Sequence, residues 1–436
     1  MIYKDVIILG GGIVGLTVSA NLKYSNLVLE KETTCGGHCS TYIDNRYTID
    51  VGGPHILFSK NKKILNYMKN LIKGNIEKRK RNNKIYFDSK FIKYPFENGI
   101  YDLTPEQRFK CLKDVLFNKY KNIKIKNLED WLYATFGKSI CDLYLIPYNK
   151  KIWKVSPNKL SVDWVDGRIP NPPIDDIIKS AVGINTEGYL HQLYYYYPIK
   201  GGYQAFTDAL EKKVKKNISN NVKLKKISKQ KNLWIIKTEK ETYKCKKLIS
   251  TIPILDFLKL YEIKNKEIIS LCKKLKYNCL TQVSLAFKDR PKIYQDFTAI
   301  YVPDKKYLFH RMSFPRSFSK HNVKGKDFLI NLELTYLPKN KKKFSNHKLL
   351  IKKAIKQCQE IFKMEEQLPI FEKVFETDYA YVVKDFDYKN NIKKIFEFLN
   401  YHNLISVGRN SQFEYINSDE AVRRALEVSQ YLNNEI

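Results

Sequence analysis

Four consecutive apolar residues, Val6 to Leu9, run into three glycines and then into a stretch with helical spacing, and a second short apolar run ends at Glu30. That pattern predicts a buried strand, a tight turn, a helix and a second strand. Helical periodicity returns at Lys63 to Ile72, at Pro105 to Asn118 and in the amphipathic stretch Tyr203 to Val214. Residues Trp234 to Thr238 and Thr242 to Leu248 alternate as paired strands, and four further strands are predicted at Leu280 to Phe287, Thr298 to Val302, Tyr307 to Ser313 and Phe328 to Leu334. The four tyrosines Tyr194 to Tyr197 read as a half-buried strand, ended by the Pro198 to Gly202 break. Near the C-terminus, Ile405 to Val407 reads as a strand before a final helix. No internal repeat or low-complexity linker interrupts these elements. The predicted segments are 1–60, 61–200, 201–262, 263–395 and 396–436. The second is expected to be a helical cap, the fourth a sheet, and the other three to build one domain between them.

The first turn carries chemistry. Gly10, Gly12 and Gly15 form a GxGxxG sequence directly after a strand and before a helix, and Glu30 closes the next strand. In that context Gly10 permits the turn, Gly12 lets pyrophosphate approach backbone N–H groups, Gly15 lets helix and strand pack, and Glu30 holds a ribose hydroxyl. A bound dinucleotide is the expectation.

Composition narrows the class. A chain of 436 residues can bury large cores in two or three domains. Its apolar runs fall short of the ~18 residues of a membrane span, and no signal peptide is apparent at the start, so a cytoplasmic protein is expected. Eight scattered cysteines lack CxxC or disulfide spacing, so reduced thiols are expected, with Cys35 and Cys39 lining a turn. No ligand cluster points to a metal. The net charge of +33 comes from lysines spread over the whole chain, while arginine occurs eleven times; this is a compositional bias rather than the footprint of a nucleic-acid partner. The runs Lys78 to Lys84 and Lys339 to Lys343 read as solvated loops. Each arginine is then informative, because a planar fork grips phosphate as lysine cannot.

Beyond Glu30 lie Gly36-Gly37-His38, then Ile49-Asp50-Val51-Gly52-Gly53-Pro54-His55, and near the end Gly408-Arg409 followed by Phe413 to Ala421. These segments resemble the FAD-binding half of the amine oxidase and protoporphyrinogen oxidase superfamily, which favours FAD over NAD. The resemblance implies an α/β fold: a Rossmann-like FAD-binding domain assembled from both chain ends, with a helical cap and a mixed or antiparallel sheet substrate domain. It implies cofactor contacts from Gly10, Gly12, Gly15, Glu30, Gly36, Gly37, His55, Gly408, Arg409 and Asn417.

Within that superfamily the chain most resembles the UDP-galactopyranose mutase family, at several separated places. These are Gly53-Pro54-His55, Tyr94-Pro95-Phe96-Glu97-Asn98, Pro147 to Trp153, Trp164 to Arg168, Tyr301-Val302-Pro303 and Tyr307 to Arg311, with Tyr381 and Tyr415. The resemblance implies that reduced flavin N5 attacks the anomeric carbon of a UDP-sugar, with UDP-galactose the substrate of that family's pattern. UDP leaves but stays bound, and the sugar recloses as a furanose without net oxidation. Arg168 and Arg311 would then steady the diphosphate, and His55 would shape the loop against the flavin. Tyr94 and Phe96 would sandwich the uracil, with Asn149, Trp153, Tyr301, Tyr381 and Tyr415 lining the substrate site. Residues 169–190 read as a lid. An electron donor such as NAD(P)H and a role in cell-surface polysaccharide biosynthesis are also implied.

The chain departs from the mutase pattern at four places. Glu97 replaces a glutamine, Lys150 an aromatic, Val382-Val383 a proline-containing turn, and Asn410-Ser411 a stretch of small residues. Two alternatives stay open: a flavin oxidase or desaturase of the same superfamily, and a non-catalytic basic flavoprotein.

Overall fold

Val6, Ile7, Ile8 and Leu9 are all fully buried because both faces of their strand are covered. Val6 and Ile8 belong to one core and Ile7 and Leu9 to another, which is why the run is continuously apolar. In this computed structural model, which describes every residue except 166–168, 170–172, 188–192, 365 and 436, that strand (Ile2–Leu9) lies at the centre of a seven-stranded sheet. It pairs in parallel with Asn26–Leu29 and with Thr242–Ser250. Thr242–Ser250 in turn pairs in parallel with Leu404–Ser406, with Ile249 opposite Ile405. The helices Ile13–Asn21, Ala205–Val214 and Ser418–Glu435 cover one face. One domain is therefore built from both chain ends.

The second sheet also has seven strands, in the order Phe371–Val383, Lys276–Phe287, Phe328–Tyr336, Arg311–Ser313, Ala299–Tyr301, Asn83–Phe87 and Lys90–Lys93. It is mixed: its pairs are antiparallel except Ala299–Tyr301 with Asn83–Phe87. Thus the segment read as a helical cap also supplies two strands to the sheet. Its helices Pro105–Leu116, Leu128–Ile140 and Ile146–Trp153 form a separate core with Phe96 and Tyr144. The first of them begins at a capping box, Thr104 with Gln107.

Two expectations are corrected here. Lys78 and its neighbours are not a loop: Ile76–Lys80 is a strand paired with Tyr194–Pro198, and the Lys78 ammonium sits 4.4 Å from the Tyr194 ring centroid. Lysine stems laid over aromatic rings let a charged strand pair with a tyrosine-rich one. Tyr307 to His310 are not in a strand, which starts at Arg311. An Asx turn at Asp304, where the Lys306 N–H donates to Oδ1 at 2.8 Å, breaks the chain just before them.

Beside an apolar core shared by Leu9, Leu248 and Val382, polar groups also join the cofactor domain to the second sheet. In Phe328–Tyr336, Phe328, Ile330, Leu332 and Leu334 face an apolar core, while Asn331, Glu333 and Thr335 take the other face and are also buried. Register aligns Tyr301, Arg311, Glu333 and Gln282 in one row across four strands. Onto this row docks the Gly52–His55 loop. The Gly53 N–H donates to Gln282 Oε1 at 2.8 Å, and Gln282 Nε2 donates to the Asp50 carbonyl at 3.1 Å. Gln282 is fully buried, so Gln282→Leu leaves two backbone groups without partners. At ~1–3 kcal/mol for each unsatisfied group, the expected loss is about 2–5 kcal/mol in urea unfolding of the holoprotein. A loss below about 0.5 kcal/mol would mean the loop is held by something else.

Candidate functional site

Local geometry at the first turn matches what a dinucleotide needs. A Cβ on Gly10 (φ +100°) would lie 2.6 Å from Thr251 Oγ1, and one on Gly15 would lie 2.0 Å from the Gly10 carbonyl oxygen. Gly12 differs, since its Cβ would meet nothing nearer than 3.9 Å. The first and third glycines are thus forced by protein packing and the second keeps a space open, as a phosphate approaching backbone N–H groups requires. The Gly36 N–H donates to the Gly11 carbonyl at 3.0 Å, bringing the second glycine pair, Gly36-Gly37, against the first turn. Glu30 is buried and accepts from the Gly11 N–H at 2.6 Å and the Glu32 N–H at 2.9 Å. Each carboxylate oxygen keeps further lone-pair capacity for a ribose hydroxyl. Gly408 packs on Val14 of the first helix, and Asn417 lies exposed immediately before the last helix.

Gly408 delivers Arg409 into the interior. Its Nη1 donates to the Ile416 carbonyl at 3.1 Å and its Nη2 to the Ala380 carbonyl, and the guanidinium lies 4.4 Å from the Tyr415 ring centroid and 5.8 Å from that of Tyr381. Among the described residues no carboxylate pairs with it. Burial and the positive charges of Arg409 and its neighbours hold two histidines neutral: His38 is pushed down to about 3, and His55 to about 4, with Arg311 also acting on His55. His38 Nε2 is 2.7 Å from Asn410 Nδ2, which makes one of the departing residues a structural partner of this cluster. His55 Nε2 is buried and has no partner among the described residues. Asp50 fixes the loop that carries His55: it accepts from the Tyr197 hydroxyl, the Thr41 hydroxyl and the Tyr203 N–H at 2.7, 2.8 and 2.9 Å. An open glycine cradle, an unpartnered imidazole nitrogen and a half-buried cation without a carboxylate among the described residues together fit a large anionic cofactor.

Across the loop stands Arg311. Its Nε and Nη2 donate to the two carboxylate oxygens of Glu333 at 2.7 and 2.6 Å, and Glu333 is fully buried. Gly53 (φ +102°) touches this pair: a Cβ there would lie 2.9 Å from Glu333 Oε2 and 3.1 Å from Arg311 Nη2. The fork leaves Nη1 outside the ion pair. Around it gather aromatic rings: Tyr301 stacks on Tyr94 at 4.6 Å, Tyr148 meets Tyr301 edge-on at 5.6 Å, and Tyr381 contacts Trp153 at 6.1 Å and Tyr415 at 5.4 Å.

Not every sequence-predicted residue enters this space. Arg168 lies outside the described residues, as do parts of the 169–190 segment; its described part includes the helix Ile174–Ala181. Phe96 is fully buried, stacked on Tyr144 at 5.1 Å and edge-on to Phe87 at 5.7 Å, so no slot for a base opens between it and Tyr94. Asn149 spends its side chain inside its own helix, donating to the Leu145 carbonyl and accepting from Trp153 Nε1 at 3.0 Å. Lys150 is exposed, whereas its neighbour Lys151 is buried, so the departure at 150 falls on the surface. Val382 and Val383 are the buried end of the longest strand. Glu333 and Gln282 were missed from sequence because a polar alternation in a strand ordinarily marks a solvated face.

Fold and site together define a dinucleotide-binding flavoprotein whose cofactor domain faces a mixed sheet. The chain belongs to the flavin-containing amine oxidoreductase family, whose profile matches residues 174–404, and a profile for an NAD(P)-binding Rossmann-like domain matches residues 8–71. Its cofactor is FAD. Among solved structures, a reduced UDP-galactopyranose mutase superposes with a TM-score of 0.90 at 21% identity over 100% of this chain and 95% of that one. A protoporphyrinogen oxidase homologue from Exiguobacterium sp. 255-15 gives 0.79 at 14% identity over 99% of both chains. A redesigned putrescine oxidase gives 0.66 at 9% identity, again over 99% of both.

Neutral histidines make stability depend on pH. In the unfolded chain each imidazole protonates near pH 6.5, whereas His55 and His38 resist protonation until about 4 and 3. The unfolded state therefore binds more protons below pH 6.5, and stability falls on acidification through that window. Urea midpoints measured from pH 7.5 to 4.5 should decline, and less steeply in His55→Gln. An unchanged slope in that variant would show that His55 is already protonated in the folded state.

Proposed function

We propose that this flavoprotein is a mutase that interconverts the pyranose and furanose forms of a UDP-sugar, with UDP-galactose the first candidate. The observation that carries the reading is Arg311, a half-buried guanidinium locked by Glu333, touching the loop of His55 and close to Tyr301, Tyr381 and Tyr148. Bound and reduced, the flavin supplies the nucleophile for the anomeric carbon. The chain's own groups bind and orient. Arg311, aimed by a fixed carboxylate, meets the diphosphate where negative charge grows as the glycosidic bond breaks, and low local dielectric strengthens that contact. Arg168 supplies the second guanidinium by resemblance. The hydroxyls of Tyr301, Tyr381 and Tyr415 donate to diphosphate or sugar oxygens, and their rings exclude water. His55 stays neutral and shapes the loop, since desolvation first, and then the charges of Arg409 and Arg311, oppose its protonation. An electron donor such as NAD(P)H would keep the flavin reduced, and the setting would be the cytoplasm; among the described residues no helix is long and apolar enough to cross a membrane. The rival reading is a flavin oxidase or desaturase, supported by the oxidoreductase family to which the chain belongs.

Dithionite-reduced protein incubated with UDP-galactose or UDP-galactofuranose should interconvert them without consuming reductant stoichiometrically, as read by chromatography. Oxidised protein should not. Arg311→Ala and Arg168→Ala should each lower the rate ~10²- to 10³-fold, the effect of removing one preorganised charge-stabilising donor. Peroxide formation from an amine or alicyclic substrate, with no sugar interconversion, would support the oxidase instead.

A further inference from the structure

The helix Ile146–Trp153 ends on a lysine in the left-handed conformation, Lys154 at φ +57°, ψ +18°. Glycine ordinarily takes that position because a Cβ crowds the following carbonyl in the left-handed region. Lys154 is half-buried, and desolvation pulls it down to about 8. One turn earlier, Lys151 is buried and donates to the Val302 and Asp304 carbonyls at 2.9 and 2.5 Å; burial, the charge of Lys154 and an opposing effect of Asp304 leave it at about 7. Thr335, two residues from Glu333 on the same sheet face, donates to the Lys151 carbonyl at 3.2 Å, which seats this helix end over the polar row.

His310 completes the group. It is 1% exposed, and neither ring nitrogen has a partner among the described residues. Its N–H donates to the Glu333 carbonyl while Arg311 is the strand partner of Glu333, so two consecutive residues face one, as at a β-bulge. The ring lies 6.4 Å from Tyr148 and 6.5 Å from Tyr381, and Arg311, Lys154 and Lys151 surround it with positive charge.

Donors and charges here exceed their partners. Glu333 is taken by Arg311, and Lys151 has the two carbonyls and Asp304 nearby. Lys154 has three N–H donors and no acceptor or carboxylate partner among the described residues. A cation partly withdrawn from water gains most from an anion or several acceptors within reach, and here the partly open Lys154 ammonium is the one left to take them. We propose that Lys154, one residue beyond the Pro147 to Trp153 motif and flanked by Lys151 and His310, is a binding residue for the diphosphate of the substrate, an oxyanion subsite beside Arg311. This rests on the sugar-nucleotide reading above, but is separable from the mutase chemistry.

The test is equilibrium binding of UDP and of inorganic pyrophosphate to the FAD-loaded protein, by calorimetry, alongside thermal unfolding and FAD content. Lys154→Met should weaken both ligands ~10-fold or more, as loss of a charge-assisted contact does, and Lys154→Arg should recover most of the affinity. If Lys154 serves only the negative end of its helix, Lys154→Met loses thermal stability and keeps wild-type affinity, which overturns the proposal. Wild-type protein that binds neither ligand overturns it as well. Binding that depends on Lys154 without sugar interconversion by the reduced protein would uphold the subsite and reject the mutase.

Discussion

One ion pair, the half-buried Arg311 with the fully buried Glu333, is the constraint around which the two halves of the molecule are arranged. A carboxylate with no exposed surface is stable only beside a fixed cation, and the fork supplies two hydrogen bonds in one plane. The Gly53 loop then lies so close that a single methyl group would collide with both partners. Through that loop the position of His55, and hence the edge of the cofactor site, is referred to the sheet rather than to its own domain. Gln282 and Asp50 extend the same logic on either side of the loop.

Charge in the interior follows from this. On the cofactor side Arg409 is held by carbonyls and aromatic rings, and the nearby histidines give up their protons. On the substrate side Lys151, Lys154 and Arg311 gather around a neutral His310. On the cofactor side Arg409 has no carboxylate partner among the described residues, and on the substrate side Glu333 is already taken by Arg311 while Lys154 has none. An anionic cofactor and an anionic substrate meeting at the Gly53 loop would relieve that imbalance, and the mutase reading makes use of both.

Much of the fold was legible in the chain. A continuous apolar run at Val6 to Leu9 announces a strand covered on both faces, and the glycine spacing announces the turn, because sterics at Gly10 and Gly15 admit nothing larger. The Gly408-Arg409 segment was legible as a cofactor-domain element because the same turn recurs in related chains. What could not be read has one physical cause. Asn331, Glu333 and Thr335 alternate with apolar residues as a solvated face would, and only tertiary contact makes that face interior. Likewise Lys151 and Lys154 are indistinguishable from the many surface lysines around them until the helix is seated on the sheet. Phe96 shows the reverse: the family resemblance implied a base platform, whereas an aromatic beside a proline is often core, and here the ring is packed against Tyr144 and Phe87.

The most direct measurement is a double-mutant cycle on the ion pair, reading the urea midpoint and FAD retention of Arg311→Ala, Glu333→Ala and the double variant. If the pair joins the halves, each single variant loses ~3–5 kcal/mol and releases FAD more readily, and the double variant loses clearly less than the two together. Additive losses, or single variants that keep wild-type stability and FAD, would contradict it.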